Sequence, residues 1–173
     1  MKNSFRNKLL VFEAKRWVGV TEVGGNNLGA IVEKFQKVVD NRAQAEPWCC
    51  AFVQFCLQQV DALGDRVFEW PDSHKIWKSE HCLTMWNRSP DGCKSGEPKP
   101  GSVVVWERFR DGQPGTGHTG IVMSYDPVNK VMYTVEGNVN GPGGGLDGVY
   151  LRERPLRLEV GGFRLKGFLE PWP

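Results

Sequence analysis

Pro47-Trp48-Cys49-Cys50-Ala51-Phe52-Val53 opens a predicted helix that runs from Trp48 to about Ala62. Proline is favoured at the first position of a helix, and the glycine at position 64 is a stop signal. This stretch therefore predicts a helix that carries a cysteine in its first turn.

The two adjacent cysteines lie on different sides of this helix. At about 100° per residue, one narrow stripe holds Cys49, Val53, Cys56 and Val60. We expect this stripe to face a sheet, and we expect Cys50 to point sideways toward a more polar environment. The partial positive charge and free N–H groups of a helix N-terminus lower the pKa of a thiol and can hold a developing oxyanion. Cys49 is therefore the predicted nucleophile.

The order of the remaining elements indicates the fold class. Helical periodicity predicts further helices over residues 5–18, 30–39 and 74–81. Valine-rich and alternating segments predict strands over residues 102–108, 119–125, 131–136, 149–154 and 163–169. Helices come first and antiparallel strands second, which predicts an α+β fold with N-terminal helices packed on a C-terminal antiparallel β-sheet. The length of 173 residues is typical of one domain, so we expect 1–173 to be a single catalytic domain.

A histidine and two further polar residues gather at one end of a predicted hairpin. His118 begins one strand, and Glu136 and Asn138 end the next, while the turn lies near Pro127. A polar partner at this end could hold one imidazole nitrogen while the other nitrogen faces the thiol. A cysteine, a histidine and an orienting polar group are the components of a thiol nucleophile, and either Glu136 or Asn138 can be the third.

Composition excludes several classes of partner. The net charge of +2 is too small to predict nucleic-acid binding, and no apolar run approaches the ~20 residues of a membrane span. The basic N-terminus and the short apolar segment 9–12 do not form a secretory signal. We therefore expect a monomer that is made in the cytoplasm without membrane insertion and that acts after release or delivery.

The cysteine count leaves at least one thiol free. Five is an odd number, and Cys82 and Cys93 could pair with each other or join His81 in a metal site. No CxxC spacing supports such a metal site. We expect free thiols and no metal, and we expect His74 and His81 to be surface residues.

Four segments, taken in order, resemble the CHAP domain, the cysteine, histidine-dependent amidohydrolase/peptidase family with a papain-like fold. They are Trp48–Val53, Pro100–Val104, Gly117–Val122 and Glu136–Asn138, and the resemblance extends over about residues 10–170. Each motif is weak when taken singly, but their combined order is fairly specific. One departure is Cys50, where members of the family usually carry alanine or another small residue.

The resemblance implies hydrolysis of an amide bond in peptidoglycan, either between muramic acid and alanine or within the stem peptide. Carried over, Cys49 is the nucleophile and His118 is the general base. Glu136 is the favoured third member, and Asn138 gives further polar support. The chemistry needs no cofactor.

Two residues are predicted to contact the substrate. They are Trp48, beside the nucleophile, and Asn26, in a glycine-rich loop. Some relatives in the family bind calcium through acidic loops near the active site. The loop at residues 22–27 has one carboxylate, which is too few for a tight calcium site.

Several biological roles fit this chemistry. The leading interpretation is a phage or prophage lysin that degrades the bacterial cell wall. The alternatives are a secreted antibacterial effector amidase, and a catalytically dead wall-binding or virion structural module. Retention of Cys49, His118, Glu136 and Asn138 argues against a dead scaffold. A cysteine acyltransferase or deubiquitinase-like peptidase is a more remote alternative on the same fold.

Overall fold

The computed structural model describes residues 2–70, 72–109, 116–160 and 162–173. The helices are α1 (Lys2–Lys15), α2 (Ala30–Asp40), α3 (Cys49–Leu63) and α4 (Cys82–Arg88). The strands are β1 (Lys94–Ser95), β2 (Val103–Arg108), β3 (Gly117–Asp126), β4 (Val131–Val139), β5 (Gly148–Pro155), β6 (Glu159–Val160) and β7 (Phe163–Leu169). None of the helices within these ranges has the length and apolar character needed to cross a membrane.

Helix α3 is the buried centre of the fold. Its first backbone hydrogen bond runs from the Phe52 N–H to the Trp48 carbonyl, at 2.9 Å. Trp48 is therefore the residue that caps the helix, and Pro47 precedes the cap instead of occupying the predicted first helical position. The α-helix ends at Leu63, and the chain continues through a π-helical turn at Gly64–Phe68.

The strands form one antiparallel sheet in the order β1-β7-β2-β3-β4-β5, and β6 pairs with β7. The helices pack on one face of this sheet, where Cys49, Val53, Cys56 and Val60 share a buried cluster with residues of β2, β3 and β4. The α+β prediction and the predicted inward stripe of α3 are confirmed.

A second, smaller apolar cluster lies on the opposite face of the sheet. Its buried members are Val104, Trp106, Val122, Met132 and Phe168. Alternation along β2 explains the division, because Val103 and Val105 belong to the helix-facing cluster. The sheet is therefore packed by apolar side chains on both faces.

The prediction of a helix over residues 74–81 is wrong, since α4 begins only at Cys82. Backbone N–H groups in this segment bond to distant acceptors instead of to a preceding turn. The N–H of His74 donates to the Asp61 carboxylate, and the N–H of Trp77 donates to Ser89 Oγ at 2.9 Å. The His74 side chain is only 14% exposed and lies against Asp61, so its predicted surface position is also wrong.

Helix α1 spans Lys2–Lys15, three residues earlier than the predicted range at each end. Helix α2 matches its prediction to within one residue. Asn41 ends it in the left-handed conformation, with φ at 67°.

Candidate active site

The first turn of α3 places Cys49 at the wall of a cavity of about 310 Å³. The thiol residue is only 6% exposed. The cavity also contains His118 and Asn138, so three of the four predicted catalytic residues meet there. Its lining residues are Glu46, Pro47, Cys49, Glu80, His81, Cys82, Arg108, Thr116, Gly117, His118 and Asn138.

Strand β3 brings His118 to this cavity. Its backbone pairs with Trp106 on β2, and the two rings stack with centroids 5.8 Å apart and planes inclined by 16°. The imidazole is nearly buried, with 10% of its side chain exposed. The indole therefore restricts the orientation of the imidazole, because directly paired residues of two strands project from the same face of the sheet.

The carboxylate of Glu136 holds the far nitrogen of this imidazole. His118 Nε2 lies 2.7 Å from Glu136 Oε2, and the glutamate side chain is fully buried. Because Nε2 is engaged by the carboxylate, Nδ1 is the nitrogen left for Cys49. The fourth predicted residue therefore lies behind the histidine and not in the cavity itself.

Two glycines are required by this arrangement. A Cβ at Gly120 would lie 2.6 Å from Glu136 Cγ, so a side chain there would displace the carboxylate. A Cβ at Gly137 would lie 2.9 Å from Phe52 Cβ, where β4 crosses α3. Both distances are shorter than real Cβ atoms show, which explains why positions 120 and 137 are glycines.

Asn138 lines the cavity but does not hold the histidine. Its φ is 57°, and the β4–β5 pairing shifts register between Glu136 and Val139. Among the described side chains, His118 hydrogen-bonds Glu136, and no hydrogen bond joins it to Asn138. The geometry thus favours Glu136 over Asn138 as the partner of the imidazole.

Each group of the site has a displaced pKa. Hydrogen bonding to Cys82 and burial raise the pKa of Cys49 well above its ordinary value, and contact with His118 lowers it. Burial lowers the pKa of His118, but hydrogen bonds with Cys49 and Glu136 outweigh burial and raise it to about 9. Burial raises the pKa of Glu136, but hydrogen bonds from Arg154 and His118 hold it well below its usual range.

Sequence reasoning missed Cys82 as part of the site. Its Sγ lies 3.6 Å from Cys49 Sγ, and both thiols are buried. All five cysteines of the chain are free. Cys82 begins α4, and nothing in the spacing of the sequence relates this helix to α3.

Cys50 lies in a different environment from the one predicted. It is fully buried, and its thiol donates to the Ser79 carbonyl at 3.1 Å and contacts Met85 Sδ at 3.6 Å. The predicted sideways direction agrees with this position. A polar environment does not, because one carbonyl is the only oxygen partner of this thiol among the described residues.

Charged side chains from separate elements line the cavity and were also missed. Glu46 precedes α3, Glu80 precedes α4, and Arg108 ends β2. Burial first, and then repulsion from Asp40 and Glu46, raise the pKa of Glu80. His81 is exposed, as a surface residue should be, and it also lines the cavity.

The prediction that Trp48 contacts substrate is wrong. Its side chain is fully buried, and its Nε1 donates to Glu22 Oε1 at 2.9 Å. The indole packs against Phe35, with centroids 5.7 Å apart. The capping position turns this side chain into the core, although it is adjacent to the predicted nucleophile in sequence.

Asn26 lies in another part of the molecule. It lines a separate, open cavity of about 850 Å³, formed by the loop that precedes α2 and the loop that precedes β5. It does not line the cavity of Cys49. Contact between Asn26 and substrate stays a prediction.

The acidic residues of that second cavity do not fit a calcium ion. Glu22, the one carboxylate of the loop at residues 22–27, is 5% exposed and already accepts the Trp48 N–H. Asp147 lies across the cavity, and burial followed by repulsion from Glu22 raises its pKa. Within the described ranges, no three His, Cys, Asp or Glu side chains group in a way that could hold a metal ion.

A thiol at a helix N-terminus, an imidazole and a buried carboxylate define the site of a cysteine- and histidine-dependent hydrolase. The family model of the CHAP domain matches residues 41–138, which contain α3, the histidine and the carboxylate. The chain therefore belongs to the CHAP domain family, whose members are cysteine/histidine-dependent amidohydrolases or peptidases of papain-like fold. Family membership indicates a hydrolase of the amidase/peptidase class. Comparison with curated proteins and with solved structures gave no match.

Proposed function

We propose that this protein hydrolyses an amide bond of bacterial peptidoglycan by a cysteine thiolate mechanism. The bond is the one between muramic acid and L-alanine or one within the stem peptide. The observation that carries the proposal is the meeting of Cys49 and His118 at one cavity, with Glu136 bound to the far side of the imidazole. Family membership supports the same reaction class.

In the first step, His118 takes the proton of Cys49 and the thiolate attacks the carbonyl carbon. Glu136 holds Nε2, so Nδ1 receives the proton and the imidazolium is stabilised by the buried carboxylate. The same histidine then donates this proton to the leaving amine. Water next attacks the thioester, with His118 as the base again.

The start of α3 supplies donors for the oxyanion. The first N–H groups of a helix have no acceptor within the helix, and Trp48 provides no side-chain cap for them. The earliest N–H that bonds within the helix is that of Phe52. The N–H groups of residues 49–51 precede it and can bind the negative oxygen as it develops.

The charges of the cavity fit a wall peptide better than an apolar substrate. Stem peptides carry carboxylates, and many carry free amines. Arg108 offers a cation for the first group, and Glu46 and Glu80 offer carboxylates for the second. This complementarity supports peptidoglycan as the substrate class.

We further propose that residues 1–173 act as one domain, although the family match covers 41–138. Leu10 of α1, Val149 of β5, and Leu169 and Trp172 near the C-terminus share the apolar cluster that contains α3. A phage lysin and a delivered antibacterial effector would use the same site. They differ in how the enzyme reaches the wall, and the lysin is the role that we propose.

Digestion of purified sacculi, followed by mass spectrometry of the released muropeptides, tests this proposal and identifies the bond. We expect Cys49→Ala to reduce hydrolysis by at least about 10⁴-fold, because the nucleophile is lost. Cys50→Ala is the matched control, since it removes the adjacent buried thiol. Its hydrolysis should stay within a few-fold of wild type. The free energy of unfolding should fall by about 1 kcal/mol, because a buried side chain becomes smaller.

Two results would contradict the proposal. Equal hydrolysis by wild type and Cys49→Ala would exclude Cys49 as the nucleophile. Binding of sacculi without any released fragment, in both proteins, would indicate a catalytically dead wall-binding module. Loss of activity in Cys50→Ala, with Cys49→Ala still active, would identify Cys50 as the nucleophile.

A further inference from the structure

We propose that Arg154 is a positioning residue of the catalytic site, which orients the Glu136 carboxylate for His118 and weakens its hold on the imidazole proton. This inference rests on the proposed role of His118 as the base. It adds a fourth group, from β5, to the cysteine, histidine and glutamate.

Arg154 binds Glu136 through two parallel hydrogen bonds. Nε donates to Oε1 at 2.8 Å and Nη2 donates to Oε2 at 2.6 Å. This fork matches the plane of a carboxylate and fixes its rotation as well as its position. A cation that makes one hydrogen bond could fix the position of the carboxylate but not its rotation.

The carboxylate has no free acceptor position left. Oε1 also accepts from Thr134 Oγ1 at 2.6 Å, and Oε2 also lies 2.7 Å from His118 Nε2. Four hydrogen bonds therefore fall on two oxygens of a fully buried group. The carboxylate cannot rotate Oε2 away from the histidine without breaking a hydrogen bond to arginine.

The position of Arg154 is not that of an ordinary cross-strand ion pair. Glu136 faces Tyr150 across the β4–β5 pairing, whereas Arg154 faces Met132. The side chain extends along the sheet to reach the carboxylate, and its guanidinium lies over the Trp106 ring at 5.7 Å. Trp106 thus packs against both the imidazole and the guanidinium.

Arg154 also changes how strongly the carboxylate attracts the imidazole proton. A buried carboxylate with a lone imidazolium would give that cation its whole negative charge. Here the same oxygen that faces His118 also accepts from Arg154, so the two cations share it. The shared charge makes release of the proton easier, because like charges disfavour each other at this range.

The test is the pH dependence of Cys49 alkylation by iodoacetamide, followed by peptide mass spectrometry. Cys49 and His118 titrate as a unit, so the alkylation rate reports proton loss from the pair. We expect Arg154→Met to move the midpoint upward by about one pH unit, because Glu136 then holds the imidazole proton alone. Cys49→Ala supplies the blank for the other thiols.

Arg152→Met is the matched control. Arg152 lies two residues away on β5 and carries the same charge, and it contacts the Asn140 carbonyl instead of Glu136. We expect its midpoint to equal that of wild type. Arg154→Lys keeps a charge without the fork, so its midpoint should show a smaller upward shift than that of Arg154→Met.

A wild-type midpoint in Arg154→Met, or an equal shift in Arg152→Met, would overturn the inference. If Arg154→Met does not fold, Arg154→Lys decides, and the absence of any shift in that variant overturns it. Alkylation needs no wall substrate, so this result is independent of digestion of sacculi. If wild type digests sacculi and Arg154→Met leaves the midpoint unmoved, the role of Arg154 is contradicted and the proposed function is not.

Discussion

The two sides of the His118 imidazole are chemically opposite. Toward the cavity, the histidine faces the thiol of Cys49, which has a second thiol, that of Cys82, 3.6 Å away. Toward the opposite face of the sheet, it meets a fully buried carboxylate that is bound by Arg154. The first side contains the sulfur that we propose as the nucleophile, and the second contains a dense set of charges.

This difference shows which groups act on the thiol of Cys49 and which act on the imidazole of His118. The neighbouring thiol and burial both raise the pKa of Cys49, so His118 is the side chain whose contact favours the thiolate. The carboxylate side supplies orientation and charge to the histidine but makes no contact with the cavity. Changes on the carboxylate side should therefore alter His118, and changes on the thiol side should alter Cys49 directly.

The largest change on the carboxylate side should come from Glu136→Gln. The amide keeps the size of the group but removes the charge that stabilises the imidazolium, so hydrolysis should fall by about 10²- to 10⁴-fold. The alkylation midpoint of Cys49 should move to lower pH, because the pKa of His118 falls. A shift to higher pH, as expected for Arg154→Met, would contradict the division between the two sides. Circular dichroism and thermal unfolding check that the variant is folded.

The wild-type protein should require alkaline conditions for full reactivity. At neutral pH, His118 carries a proton because its pKa is raised to about 9, and a protonated imidazole cannot act as a base. The rate of Cys49 alkylation should rise about tenfold per pH unit below the midpoint of the Cys49–His118 pair and level off above it. Stopped-time alkylation between pH 6 and pH 10.5 measures the profile. A rate that is already level at pH 7 would show that the pair has lost its proton earlier than the structure indicates.

The smallest effect should come from Cys82→Ala on the thiol side. Loss of the neighbouring thiol removes a hydrogen bond that raises the pKa of Cys49, so the alkylation midpoint should move to lower pH. Cys82→Ser keeps a hydrogen-bonding group at this position, and its midpoint should stay closer to that of wild type. An unchanged midpoint in the alanine variant would mean that the second thiol does not influence the nucleophile.

The sequence predicted which side chains meet at the candidate site because local rules determine their positions. The first turn of a helix decides where Cys49 lies, and the alternation of a hairpin brings His118 and Glu136 to the same end. Both rules act over a few residues, so they can be applied without knowing the tertiary structure. The same rules could not separate Glu136 from Asn138, because the register shift after Glu136 is visible only in the pairing of β4 with β5.

The prediction for Trp48 failed for a related reason. Adjacency to the nucleophile says nothing about direction at a helix cap, where φ and ψ differ from helical values. The buried carboxylate of Glu22, 26 residues earlier, accepts the indole N–H and thereby helps to hold the ring in the core. A distant partner determined this orientation, and the local pattern around Trp48 does not contain it.

The sequence alone indicated a cysteine nucleophile with a histidine, since helix termini and strand alternation are properties of neighbouring residues, and the resemblance to the CHAP domain implied amide hydrolysis. The surroundings of the reacting groups depended on the tertiary structure. Cys82 arrives from α4 and Arg154 from β5, and each lies far along the chain from the group that it contacts. Electrostatic and hydrogen-bond effects depend on distance in space, so only the folded arrangement sets the pKa of the thiol and the imidazole.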